Sequence, residues 1–294
     1  MQSITVQSPA KLNITLRVGP RREDGFHEIE SLVVPIDYCD TLHVERSRDD
    51  GIHLHVEGAD LPADEANLIL RAARVFEAET DQKFNLSIRL TKRIPLGAGL
   101  GGGSSNAAQT LLALHRMSES RVPLELLERY AAQIGSDVPL FLTKKPAIIR
   151  GRGELVEPAP LNVSGYAVLA IPEFSCDTAA VYAAFDELER PPTRMSPAYF
   201  AGSVVSANQL LHCAYNDLEP AAFRVAPELA RIVHRLSRED LPVFRMTGSG
   251  SVLYTLTDDA ANADRIGEAV MRLTPMRVEV VQFNHDMNAR NRLA

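Results

Sequence analysis

Between Ile94 and Leu114 the chain reads IPLGAGLGGGSSNAAQTLLAL, with glycine at 97, 99, 101, 102 and 103, then Ser104 and Ser105. Each glycine in an ordered segment costs roughly 0.5–1 kcal/mol against alanine, so such a run persists where bare backbone is needed. The run follows FNLSIRLTKRIP, in which Phe84, Leu86, Ile88 and Leu90 alternate with Asn85, Ser87, Arg89 and Thr91, the period of a strand. A segment with helical character follows it, to about Met117. A flexible linker has no reason to sit between a good strand and a good helix. Successive N–H groups without side chains in the way form a concave nest for anions, and a helix starting there adds the positive end of its dipole. Ser104 and Ser105 are expected either to cap that helix or to offer hydroxyls to a phosphate or a metal.

The kind of cradle can be narrowed. A P-loop places lysine before its Ser/Thr, but here Gly103 holds that slot, so there is no Walker A pattern. Gly97, Gly99 and Gly102 satisfy GxGxxG, and Glu119 follows about twenty residues on, as in dinucleotide folds. The strand before the loop has a polar face, however, where a Rossmann first strand is an unbroken apolar run, and no second βα unit follows in register.

Elsewhere, SPAKLNITLRVG alternates, with Ala10, Leu12, Ile14, Leu16 and Val18 on one face and Lys11, Asn13, Thr15 and Arg17 on the other: a half-buried strand. Strands are also expected at LVVPIDYCDTLHVER and GIHLHVEG. Helices are expected at DEANLILRAARVFEAET and VPLELLERYAAQIG, the latter with Pro123 near its start and Gly135 at its end. Residues 150–165 are rich in Gly and Pro, which places a domain boundary there, with units at 1–155 and 156–294. The second half reads as strand 166–171, helix 177–188, a proline-rich loop ERPPTRMSP and two helical segments to about 236. A β-pair, PVFRMTGSGSVLYTL, helix 260–273 and strand RVEVVQF complete it. That order suggests an α+β sandwich.

A net charge of −7 argues against a nucleic-acid binder. Cys39, Cys176 and Cys213 have no disulfide or metal-ligand spacing and read as reduced thiols. There is no signal-like apolar stretch at the start and no run of the roughly 18 residues that would span a bilayer. A cytoplasmic protein without membrane or nucleic-acid partners, monomeric or homodimeric, is expected.

PAKLN at 9–13, PLGAGLGGGSSNAA at 95–108 and MTGSGS at 246–251 resemble, in order and spacing, the three motifs of the GHMP kinases. GPRREDGFHEIES and IGSDVPLF are similar to one branch of that family, whose acceptor is a cytidine-diphosphate-linked methylerythritol. The resemblance spans nearly the whole chain. It implies a two-domain α+β fold, N-terminal ribosomal protein S5 domain 2-like and C-terminal ferredoxin-like, with a cleft between. It implies transfer of the γ-phosphoryl of ATP to the acceptor 2-hydroxyl, with Mg²⁺ demanded by the phosphoryl charge rather than by a visible ligand cluster. Mevalonate, homoserine or sugar acceptors are the alternative within the family.

The resemblance also implies residue roles. Asp137 would accept the hydroxyl proton; without the resemblance it reads as a cap for the turn VPLFL. Lys11 would keep Asp137 ionised and offset phosphoryl charge, where an ordinary lysine would be solvated. Asn13 would orient the acceptor. Pro95, Leu96, Gly97, Ala98, Gly99, Leu100, Gly101, Gly102, Gly103, Ser104 and Ser105 would hold ATP, with Ser104 or Ser105 reaching Mg²⁺. Phe26 and His27 would stack on and read cytosine, with Tyr182 on its other face and Thr178 nearby. Gly248, Ser249 and Gly250 would close over substrate, and Asn67 is a further pocket candidate. Ala98 stands where this branch commonly has glycine, which is tolerable if its φ is negative.

Overall fold

The computed structural model describes residues 2–118, 122–159, 161–188 and 205–284. The proline-rich loop expected at 189–197 and Glu119 lie outside them. The alternating stretch SPAKLNITLRVG forms two strands, β1 (Ser3–Asn13) and β2 (Thr15–Arg21), interrupted at Ile14. β3 (His27–Arg46) is a 20-residue strand that pairs with β1 along most of that strand's length and with β2 at its own start. The β1–β3 register shifts between Pro9 and Ala10, where proline has no N–H to give the ladder.

β4 (Ile52–Glu57) leads into α1 (Leu68–Thr80), capped by the Asn67 side chain, and then β5 (Leu86–Thr91). β5 pairs antiparallel with the end of β3 and parallel with β4. Its alternation places Leu86, Ile88 and Leu90 inward as the sequence requires. α2 (Gly102–Met117) and α3 (Leu124–Ile134) pack with α1 over this sheet, and Phe76, Leu111 and Leu114 meet Leu42, Val44 and Ile88 in one apolar cluster. The hairpin β6 (Ala147–Gly151) and β7 (Leu155–Pro158) joins the same sheet through β6 and β3.

The second half starts with β8 (Ser164–Ile171) and α4 (Thr178–Asp186). Three helices then stand where two segments were expected: α5 (Ala207–Cys213), α6 (Glu219–Val225) and α7 (Pro227–Leu236). The short β9 (Tyr215–Asn216) separates the first from the others and adds to the N-terminal sheet beside β2. Pro220 and Pro227, near the starts of α6 and α7, fit first-turn positions where no N–H is needed. β10 (Arg245–Met246), β11 (Leu253–Thr257), α8 (Ala260–Leu273) and β12 (Arg277–Asn284) complete the chain.

The second sheet runs β10-β11-β8-β12, every pairing antiparallel. Its order is that of a split βαβ unit. Leu12 and Ile14 of the first half share a cluster with Leu169, Tyr254 and Leu256 of the second. The two sheets are thereby joined along β1, and the loops at that seam form a cavity.

Candidate active site

β1 was expected to be half-buried, yet its polar face is covered too. Lys11, Asn13 and Thr15 are 5%, 4% and 1% exposed. The cover comes from the glycine turn and from the β10–β11 turn. Lys11 N donates to Leu100 O at 3.0 Å, and Asn13 N to Thr247 Oγ1 at 3.1 Å. Buried polar groups need partners, and these have them. Lys11 Nζ donates to Asn13 Oδ1 at 2.5 Å, and Asn13 Nδ2 to Ser31 Oγ at 2.8 Å. Burial lowers the pKa of the Lys11 ammonium from its ordinary value, and the charge of Asp137 opposes that shift.

The glycine turn needs its glycines for space as well as angle. Gly99 has φ +75°, and a Cβ on it would fall 2.1 Å from Thr247 O. Gly101 has φ +72°, and its Cβ would strike the Phe141 ring at 2.8 Å. Ala98 is not among the residues of positive φ, and its methyl is buried at 5% exposure in the shared cluster. The departure from glycine there is therefore tolerated.

Helix α2 starts from Gly101 as N-cap with no side-chain cap. Ser104 and Ser105 thus do not cap it; they lie inside its first turn. Their environments differ. Ser105 is fully buried and its Oγ accepts from Ser8 Oγ at 2.9 Å, whereas Ser104 is half-buried. Of the two hydroxyls, Ser104 is the one with room for a ligand.

Beneath the turn, one carboxylate ties both of its stems. Asp40, on β3 and fully buried, accepts from Lys92 Nζ at 2.5 Å and from the N–H of Arg93 and Ile94 at 2.8 and 2.9 Å. Asn106 Nδ2 of α2 donates to Asp40 Oδ2 at 3.0 Å and to Ser8 Oγ at 2.9 Å.

Asp137 follows the end of α3 at Gly135 and precedes a 3₁₀ turn, Pro139–Leu142, whose N-cap is Val138 with no side-chain cap. The capping role available to Asp137 is not taken. The residue is half-buried, and its Oδ1 would lie 3.0 Å from a Cβ on Gly153.

One cavity of about 670 Å³ collects these elements. Lys11, Asn13, Asp137, Gly97, Gly99 and Gly101 line it. So do Phe26, His27, Thr178, Tyr182, Gly248 and Ser249. Gly248 stands against the lysine, since a Cβ on it would come within 3.3 Å of Lys11 Nζ. Thr178 Oγ1 and Ser249 Oγ hydrogen-bond at 2.8 Å across the two halves of the C-terminal unit.

Other expected residues stay out of its wall. Pro95, Leu96, Ala98, Leu100, Gly102, Gly103, Ser104 and Ser105 frame the turn without lining the hollow. Gly250 faces inward, where a Cβ would meet Met246 Sδ at 2.8 Å and Cys176 Sγ at 3.2 Å. Asn67 is spent on the N-terminus of α1, accepting from Ile69 N and donating to Pro62 O, because a capping side chain satisfies an orphan helix donor.

His27 is held on three sides by α4. Its Nε2 lies 2.7 Å from Asp186 Oδ1. Its ring stacks on Tyr182 with centroids 5.0 Å apart and meets the edge of Phe185 at 6.0 Å. Tyr182 therefore packs on His27 itself, and the two rings do not frame an open slot. Burial, with Asp137 adding to it, pushes the Tyr182 hydroxyl up to about 12. Phe26 is 52% exposed at the mouth of the cavity.

Sequence reasoning missed Arg21, Ser136, Arg152 and Asp186 in the wall. Asp186 lies four residues beyond Tyr182, a same-face helical spacing that could have revealed it. Arg152 sits between two glycines in RGRGE, a turn signal that could have revealed it.

Among the described residues no cluster of three or more His, Cys, Asp or Glu could hold a metal. None of their helices is long and apolar enough to cross a membrane.

The family described as the GHMP kinases N terminal domain matches residues 67–145, and that described as GHMP kinases C terminal matches 197–273. The 4-diphosphocytidyl-2-C-methyl-D-erythritol kinase of Thiobacillus denitrificans is 40% identical over 260 residues, covering 87% of this chain and 88% of its own. That of Pelotomaculum thermopropionicum is 37% identical over 286 residues, covering 96% and 98%. A crystal structure of a 4-(cytidine 5'-diphospho)-2C-methyl-D-erythritol kinase superposes with TM-score 0.78 at 34% identity, over 96% of this chain and 99% of the other. Both halves of the chain, its cavity motifs and its fold agree: it belongs to the GHMP kinase family, in the branch of the 4-diphosphocytidyl-2-C-methyl-D-erythritol kinases.

Proposed function

We propose that this chain transfers the γ-phosphoryl of ATP to the 2-hydroxyl of 4-diphosphocytidyl-2-C-methyl-D-erythritol, a step of isoprenoid precursor synthesis by the non-mevalonate route. The observation that carries the proposal is the meeting of Lys11, Asp137 and the bare amides of Gly97, Gly99 and Gly101 in one cavity.

The geometry supports these roles. The glycine turn and the N-terminus of α2 offer N–H groups and a positive dipole to the ATP phosphates. Asp137 takes the proton from the acceptor hydroxyl. Lys11, desolvated but within the field of the Asp137 charge, stabilises the charge that develops on the transferred group; buried donors act strongly in a low dielectric. Asn13 fixes the Lys11 ammonium and orients the acceptor. Phe26 offers an exposed face to the base. Asp186 occupies His27 Nε2, so His27 reads the base through Nδ1 and its backbone.

The half-buried Ser104 hydroxyl is the protein group that would hold Mg²⁺, and the ion would neutralise phosphate charge. The boundary at residue 155, a cytoplasmic setting, a monomer or homodimer, and the absence of nucleic-acid partners belong to the same proposal.

A coupled ADP-release assay with Mg²⁺, ATP and a panel of acceptors tests it. The diphosphocytidyl acceptor should release ADP, while mevalonate, homoserine and galactose should not. Turnover with one of those three and none with the diphosphocytidyl compound would reassign the acceptor.

A further inference from the structure

The β6–β7 turn brings into the cavity a cation that the phosphotransfer steps leave without a task. Arg152 lines the wall, half-buried, with its guanidinium carbon 5.0 Å from the centroid of the Phe26 ring. The next residue, Gly153, backs onto the carboxylate: its Cβ position is 3.0 Å from Asp137 Oδ1. One turn thus touches both Phe26 and Asp137.

Neighbouring arginines are paired. Arg150 holds Glu157 at 2.5 Å and Glu30 at 3.3 Å, and Arg22 holds Glu28 at 2.9 Å. Among the described residues no carboxylate pairs with the Arg152 guanidinium. Arg21, also in the wall, gives its Nε to Gly25 O at 3.1 Å. A guanidinium stacks on an aromatic face and presents a planar fork that matches phosphate oxygens. An unpaired one inside a cavity is a ready anion receptor.

We propose that Arg152 binds the diphosphate of the acceptor. The assignment rests on the function proposed above, in which the acceptor carries its reacting hydroxyl and its nucleoside on opposite sides of a diphosphate. With the hydroxyl at Asp137 and the base at Phe26, the diphosphate passes the turn that carries Arg152. Arg152 then selects nucleoside diphosphate acceptors over neutral alcohols, a specificity that Lys11 and the glycine turn do not supply.

The test is calorimetric binding of CDP and of cytidine to the full chain, with the ATP site filled by a non-hydrolysable ATP analogue and Mg²⁺. Wild type should bind CDP more tightly than cytidine. Arg152→Met, which keeps the stem over Phe26, should weaken CDP about tenfold or more and leave cytidine within twofold. Arg152→Lys should fall between. Arg22→Met, which removes a nearby charge outside the wall, should change neither. In kinetics Arg152→Met should raise KM for the acceptor by a similar factor, with kcat and KM for ATP within threefold. Unchanged CDP binding in Arg152→Met, equal losses of CDP and cytidine, or the same loss in Arg22→Met each overturns the assignment. If wild type binds CDP through Arg152 but does not phosphorylate the diphosphocytidyl acceptor, the proposed acceptor falls while the anion site stands.

Discussion

Replacing Asp40 by asparagine probes how the glycine turn is held. The Lys92–Asp40 pair is 2.5 Å long, with side chains 3% and 0% exposed. Removing one partner of such a pair leaves an uncompensated charge in the interior, at a cost of about 3–5 kcal/mol. Asp40→Asn keeps an oxygen for the N–H groups of Arg93 and Ile94 but takes the acceptor from Lys92 and Asn106. Burial already lowers the Lys92 pKa and Asp40 opposes that shift. The lone lysine should therefore shed its proton as pH rises, and the variant should recover part of its loss at alkaline pH. For a chain of this size the loss corresponds to a Tm drop of about 5–8 °C. Equilibrium unfolding in urea of wild type, Asp40→Asn, Lys92→Met and the double variant gives the coupling directly. The double variant, with no buried charge left, should be more stable than either single variant. Because Asp40 joins the stems of the turn, Asp40→Asn should also raise KM for ATP more than KM for the acceptor. Singles that each lose under about 1 kcal/mol and add without coupling would refute the idea that this pair holds the turn.

Two further outcomes follow from local geometry. Gly99→Ala puts a methyl 2.1 Å from Thr247 O at φ +75°, so the turn must move; KM for ATP should rise at least about tenfold, whereas Ala98→Gly should leave it within threefold. Lys144, hydrogen-bonded to Gln7 O at 2.7 Å, has its pKa lowered by burial to about 8. The native state therefore binds fewer protons than the unfolded chain between about pH 8 and 10.5, and stability gained from this group rises with pH through that window. Relative to Lys144→Met, wild type should gain about 3 kcal/mol across it by urea unfolding; a flat difference would refute the shift.

Much of this was legible in the chain. The alternation in FNLSIRL gave β5 because one face is buried and the other solvated. The glycine spacing pointed to a turn that cannot carry side chains, and Gly99 and Gly101 show the contacts that forbid them. The polar face of β1 was misjudged because its cover comes from Leu100 and Thr247, distant in sequence, and alternation reports only one sheet face at a time. The helices α5 to α7 merged into two in the sequence because the two-residue β9 between them has no period of its own. Asp186 and Arg152 were missed for a related reason: nothing local marks a charged residue as facing a cavity until the β6–β7 turn and α4 are brought to the same hollow. Gly250 was placed in the site by its motif, while its backbone turns it toward Met246 and Cys176.

The most direct measurement is the single-turnover rate of phosphoryl transfer by Asp137→Asn, with calorimetric affinities for both substrates alongside. Loss of a positioned general base should slow the step by about 10²–10⁴-fold, with binding of ATP and acceptor within about threefold of wild type. A transfer rate within threefold of wild type would contradict the assignment of Asp137, and with it the claim that this cavity is where the phosphoryl group moves.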